Sequence, residues 1–259
     1  MPASIKRTSL TDQATEAIIQ LIQERNLRDG DQMPGTGELA EMLNVSVPVV
    51  REAVAGLSAI GLLKRHQGRE STVSTPDSTH MSRLFALRIV GTAVDDEQLQ
   101  QFREIVEVGN ARLAARNHTP EHIASLHKAL DSLTSVRDAE HLHEADVAFH
   151  AAVSQAANND LCELTLESLE PLLRRLRRRV WNGWVNAGGG VEAIIDAHRV
   201  ILNAIEAGDE NAAATAMAVH LEQARLGLEE SIRDGDRQVA GNAGFPADAP
   251  DQATSAVTA

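Results

Sequence analysis

The chain has 259 residues, 43% of them hydrophobic, enough for two domains that each bury a core, which excludes fibrous and wholly disordered readings. Lys and Arg number 24 against 37 Asp and Glu, for a net charge of −13. A molecule that is basic throughout is therefore excluded, and any nucleic-acid site has to be local. One cysteine, Cys162, allows no internal disulfide, and no leader-like segment or long apolar run is read, so a soluble, cytoplasmic protein without a membrane partner is expected. Aromatic residues make up 2% and tyrosine is absent, which disfavours base-stacking platforms; a core of Leu, Ile, Val and Ala suits packed helices. The expected class is mostly α.

The first 76 residues hold 8 basic and 9 acidic side chains, leaving 16 and 28 for the rest. The two parts are expected to have different partners. A domain is placed over 1–76, a second over 77–234 and a disordered tail over 235–259, where Gly, Ala, Pro and Asp replace any helical stripe. The stretch from Ser71 to Thr79, β-branched at first and then rich in turn and cap residues from Pro76, marks the boundary.

In the first domain, Leu10, Ala14, Ile18 and Ile22 form a helical stripe that Ser9 can cap and that ends at Asp29, Gly30 and Asp31. A short helix over Glu38–Leu43 and a turn at Asn44–Ser46 follow. Ser46 is expected to cap a third helix, which turns Val50, Val54 and Leu57 inward and stops at Gly61. Two short strands, 62–65 and 71–74, flank a polar turn over 66–70. The sum is a winged helix-turn-helix with a small β wing. On a helical wheel Val47 and Arg51 face away from the apolar stripe, the position of a recognition helix entering a major groove. Lys64, Arg65, His66 and Arg69 around the wing supply charge for phosphates, and Ser46 stands at the helix entry. Double-stranded DNA is the expected partner of this domain.

The second domain reads as helices near 78–91, 96–117, 119–136, 140–158, 160–181, 191–207 and 209–233, joined by short connections that favour an antiparallel bundle. Asp146 and His150 lie one turn apart on the buried side of their helix, His198 sits among Ile194, Ile201 and Ile205, and His220 edges the stripe of Ala213, Met217 and Ala224. A carboxylate so placed needs a metal, an arginine or a donor network. One aspartate with three histidines is a borderline ligand set that suits Zn2+, with Ni2+ and Mn2+ as alternatives; a hydrogen-bonded core is the other reading. His118, His122, His141 and His143 read as solvated. Arg103 and Asn110 share the inward face with Leu99 and Val106. The guanidinium either pairs with a carboxylate such as Glu107 or Asp146, or meets the carboxylate of a small organic acid. Arg175 and Arg179 are weaker effector candidates, read as nearer the apolar face than Arg174, Arg177 and Arg178.

These residues resemble two known families. Over about 9–75, the stretches from Asp29 to Pro34, Glu38 to Ala40, Asn44 to Ser46, Val50 to Ala53 and Leu57 to Leu62 resemble the GntR family of bacterial transcription regulators. Thr36 and Gly37 stand where such members usually carry Glu and Arg, Val47 where they carry Arg, and Glu70 where they carry a wing glycine; of the family's DNA-contacting arginines, Arg51 remains. Over about 78–233, Phe102 to Glu107, Asp146 to His150 with Asn158, Asp196 to His198 with Gly208 and Asp209, and Met217 with His220 resemble the helical FCD-type domain of the FadR branch. The resemblance implies that Asp146, His150, His198 and His220 coordinate a divalent cation and that Arg103 faces an effector cavity. It implies a homodimeric transcription regulator, read as a repressor, whose effector modulates operator binding. The rival readings are a metal-dependent helical enzyme, against which the lack of paired Glu-x-x-His motifs and of a zincin motif argues, and a co-regulator that has lost DNA contact through Gly37 and Val47.

Overall fold

The computed structural model describes residues 9–90, 95–135 and 139–243, and these divide into two compact units: 9–90 with 164–171, and the described residues of 95–163 with 172–243. The sequence boundary falls at 76, whereas the first unit extends past it and takes in the helix that follows.

In that unit, α1 (Leu10–Glu24), α2 (Thr36–Leu43) and α3 (Val47–Ala59) precede a hairpin of β1 (Leu63–His66) and β2 (Arg69–Val73), and α4 (Ser78–Val90) follows. Ser9 closes a reciprocal capping box with Asp12 at the start of α1. Asn44 ends α2 in the left-handed region, which its short polar side chain tolerates. Ser46 has the extended backbone of an N-cap but its hydroxyl takes no hydrogen bond from the helix, so the expected side-chain cap is not made. Ala14, Ile18, Leu39, Val50, Val54, Leu57, Leu63 and Val73 form one core. The hairpin turns more tightly than expected: Leu63 pairs with Val73 and His66 with Arg69, and Gly68 takes a positive φ of 69°. Gly61 is fixed by two demands. Its φ is 81°, and an added Cβ would lie 2.6 Å from the His80 ring at the start of α4.

The second unit contains α5 (Asp96–Asn117), α6 (Pro120–Ser135), α7 (Ala139–Ala156), most of α8 (Asp160–Asn186), α9 (Val191–Glu206) and α10 (Glu210–Ala243). Asp95 caps α5 through Gln98 N, and Asn159 caps α8 through Cys162 N. Leu126, Leu133, Phe149, Ile201, Leu202, Ile205, Met217 and Leu221 meet in one core fed by α5, α6, α7, α9 and α10. The helix starts match the expected ones closely, but two ends do not. Helix α8 runs on to Asn186, past both tryptophans, and α10 continues to Ala243, so 235–243 of the expected tail is helical. The rest of the tail, 244–259, lies outside the described residues. Among the described residues, no helix is long and apolar enough to cross a membrane.

Candidate functional site

The four residues singled out as ligands come together. Asp146 and His150 project from α7, His198 from α9 and His220 from α10, and one ligand atom from each lies within 4.8 Å of the others. His150 Nε2 is 3.2 Å from His220 Nε2, His198 Nε2 is 3.2 Å from Asp146 Oδ1, and His150 Nε2 is 3.7 Å from the same oxygen. Ligands around a zinc-sized ion at bond lengths near 2 Å stand about 3.3 Å apart, close to these three spacings, while the set as a whole spreads to 4.8 Å.

The far side of the His198 ring decides what its near side presents. His198 Nδ1 donates to the Ile194 carbonyl at 2.7 Å, and a carbonyl only accepts, so the proton of the neutral ring is on Nδ1 and Nε2 carries a lone pair. That lone pair faces the Asp146 carboxylate without a hydrogen bond. His150 Nδ1 lies against the Glu107 carboxylate, and its Nε2 faces His220 Nε2 in a pair where either ring can donate. Three imidazoles and a carboxylate gathered in a buried space form a donor set that fits a divalent metal ion.

Glu107, named from sequence only as one possible partner for Arg103, organises the surroundings. It is 3% exposed and meets Arg103 Nε at 2.7 Å, Arg177 Nη2 at 3.4 Å and His150. Burial would raise its carboxyl, but Arg103, His150 and Arg177 hold it well below the usual range. Burial opposes ionisation of Asp146 too, and His150, His198 and Arg177 hold it low. Burial lowers His150 against the pull of Glu107 and Asp146, and it lowers His220 strongly, with His198 and His150 adding to the effect.

A cavity of about 40 Å³ opens beside these groups, lined by Arg103, Asp146, Arg177 and His220 at one level and by Trp181 and Trp184 among others. Arg103 pairs with Glu107, one of the two alternatives, and also lines the cavity. Asn110 is buried but donates to Ser154 Oγ at 3.2 Å and does not line the cavity. The helical-wheel assignment of α8 needs correction. Arg175 and Arg179 are largely exposed, both beside Asp96, and the inward arginine is Arg177, 5% exposed and 3.8 Å from Asp146. Its place was legible, because Leu173, Arg177, Val180 and Trp184 recur at helical spacing. His143, read as solvated, is also corrected: it is 3% exposed and lines the cavity, three residues before Asp146 on the same face. Burial pushes its imidazole down, Asp146 pulls it up, and Arg178, Arg174 and Arg177 push it down.

On the first unit, Arg51 is exposed on α3, and Lys64, Arg65, His66 and Arg69 are exposed along the hairpin, with His66 Nε2 3.1 Å from Thr72 Oγ1. Ser46 is exposed at the entry to α3. Val47 is half-buried and packs on the core rather than standing in solvent; at the first position of a helix its side chain leans back toward the preceding turn. Gly37 has open space around its Cα, so packing does not require glycine there. Glu70 is held on the hairpin by Gln32 Nε2 at 2.8 Å.

Comparison with known proteins supports both halves. Residues 10–73 match the family described as bacterial regulatory proteins, gntR family, and residues 98–223 match the FCD domain. The HTH-type transcriptional regulator LutR of Bacillus subtilis (strain 168) is 30% identical over 203 residues, covering 78% of this chain and 93% of LutR. The HTH-type transcriptional repressor NanR of Klebsiella aerogenes is 30% identical over 221 residues, 84% of each chain. Among solved structures, Streptococcus agalactiae GntR aligns with a TM-score of 0.63 at 25% identity, covering 83% of this chain and 98% of that one. With an α3 that presents Arg51 beside a basic hairpin, and a helical unit built around a buried histidine cluster, the chain belongs to the GntR family of DNA-binding bacterial transcriptional regulators and carries that family's FCD domain.

Proposed function

We propose that this regulator is a homodimeric repressor acting in the cytoplasm, whose helical domain holds one divalent metal ion at Asp146, His150, His198 and His220 and senses a small organic acid beside it. The observation that carries this reading is the convergence of three imidazoles and a carboxylate in a buried space, with His198 held from behind by the Ile194 carbonyl and His150 lying against Glu107. Zn2+ suits the donor set and the ligand spacing, with Ni2+ and Mn2+ as alternatives. A bound ion would supply positive charge and open positions for a carboxylate. Arg103 and Arg177, both on the cavity wall, orient that carboxylate through charge-assisted hydrogen bonds.

A symmetric dimer matches a palindromic operator, with Arg51 reading base edges and Lys64, Arg65, His66 and Arg69 neutralising phosphates. Ser46 and Val47 stand at the helix entry, where Ser46 is free to contact a phosphate and Val47 offers a reduced apolar edge. The effector biases the dimer between arrangements that fit two half-sites and ones that do not.

The test is a mobility-shift titration with DNA flanking the protein's own coding region, using metal-loaded and chelator-stripped protein, with and without small carboxylates. The reading expects specific retention that a carboxylate alters only when metal is present. Identical titrations under all four conditions would contradict it.

A further inference from the structure

The hairpin of the first unit carries one acidic side chain. Between Leu62 and Thr75 stand Lys64, Arg65, His66 and Arg69, and against them only Glu70. A break in strand pairing sets its place. Lys64 pairs with Thr72 and His66 with Arg69, so Glu70 and Ser71 both stand opposite Arg65, a bulge that bends the strand and re-aims a side chain. Along the other edge of β2 runs the chain that leads into α2: Gln32 bridges to Thr72, Met33 N donates to the Ser71 carbonyl, and Gly30 and Asp31 share hydrogen bonds with Val73. Glu70 reaches across to this segment, where its Oε2 accepts from Gln32 Nε2 at 2.8 Å.

That reach puts a negative charge at the start of α2. Gly35 is the N-cap, no side chain caps the helix, and Glu70 Oε1 lies 3.8 Å from where a Cβ on Gly35 would be. A helix start attracts anions, because its first amides lack partners within the helix and the dipole is positive there. In a helix-turn-helix the first helix crosses the DNA backbone, which brings a phosphate toward this end of α2. Here the phosphate would meet the Glu70 carboxylate, with Glu38 exposed in the first turn and Gly37 offering no side chain to offset it.

We propose that Glu70 is an affinity-determining residue of the DNA-binding surface: its carboxylate takes the place beside the start of α2 that a backbone phosphate would enter, so the domain holds the duplex through α3 and the cationic residues of the hairpin alone. This rests on the DNA-contacting surface proposed above. Gln32 holds the carboxylate toward α2, which leaves the Arg65 and Arg69 guanidinium groups to the phosphates. Sequence-independent affinity is almost wholly electrostatic. Closing one phosphate contact holds it down and gives base reading by Arg51 a larger share of operator binding.

Full-length protein is titrated against a random-sequence DNA duplex by fluorescence anisotropy from about 50 to 200 mM salt. The variants are Glu70→Gln, Glu70→Ala and Glu41→Gln, the last a charge control at an exposed position of α2 beyond its first turn. Both Glu70 variants should admit one more phosphate and steepen the salt slope by about 0.9, so that their advantage over the wild type grows about eightfold for each tenfold drop in salt. Glu41→Gln should keep the wild-type slope. A wild-type slope in Glu70→Gln, a gain in Glu70→Gln that Glu70→Ala lacks, or an equal gain in Glu41→Gln overturns the role of Glu70, and the DNA-contacting surface stands so long as Arg69→Ala weakens binding. Lys64→Ala and Arg69→Ala that both bind as the wild type does overturn the surface and the role of Glu70 together.

Discussion

Replacing Glu107 by glutamine removes one negative charge from a buried cluster while almost preserving its shape. In the folded protein that charge faces Arg103 Nε at 2.7 Å, Arg177 Nη2 at 3.4 Å and His150 Nδ1, with all four side chains at most 5% exposed. Removing one partner of a buried ion pair costs about 3–5 kcal/mol, because the charge left behind is neither solvated nor matched. Glutamine can still accept one hydrogen bond, so the expected loss is near the lower end, about 3 kcal/mol. Glu107→Gln should show it as a lower urea midpoint with an unchanged slope in metal-stripped protein. A second effect acts through His150, whose Nδ1 loses the carboxylate that orients the ring. Loss of such a support typically weakens metal binding by about 10–100-fold, measurable by competition with a chromogenic chelator. A variant as stable as the wild type and with the same metal affinity would refute the organising role given to Glu107.

Arg51→Ala should nearly abolish specific operator binding, whereas Arg69→Ala should weaken specific and random DNA alike and reduce the salt slope by about one; equal effects of the two in a competition mobility shift would remove Arg51 from base reading. Gly183→Ala should lower the melting temperature, with a cost of about 1–3 kcal/mol or more, because an added Cβ would overlap the Gly227 carbonyl where α8 and α10 meet backbone to backbone. An open helical glycine would give the opposite sign, a gain of about 1 kcal/mol. Metal-free protein should be most stable above about pH 6.5, the ordinary histidine value. Burial holds His143, His150 and His220 below that value, so as pH falls the unfolded chain takes up protons that the folded chain refuses, and stability declines until the lowered values are passed. A melting temperature that rises between pH 7 and 5.5 would contradict the sign.

Much of the site could be read before any coordinates because its ligands obey helical spacing. Asp146 and His150 are four residues apart, and His198 and His220 each interrupt an apolar stripe, so four inward polar groups on three helices stand out against a core of Leu, Ile and Ala. Spacing alone did not say which helices face one another, and that is where the reading slipped. Arg177 reads as farther from the apolar face than Arg175 and Arg179, and His143 as solvated; in the folded unit both are buried on the cavity wall. Val47 failed for a different reason. A helical wheel assumes interior geometry, and the first residue of α3 leans back onto the core instead. The tail was misread over 235–243, where a composition of Gly, Asp and Ala hid the continuation of α10.

The most direct test of the metal-centred account is elemental analysis of purified, metal-supplemented protein beside its His198→Ala variant. About one divalent ion per chain in the wild type, and its loss in the variant while the helical circular dichroism is retained, is the predicted result. A wild type that carries no stoichiometric metal would contradict the account and leave Asp146, His150, His198 and His220 as a hydrogen-bond network.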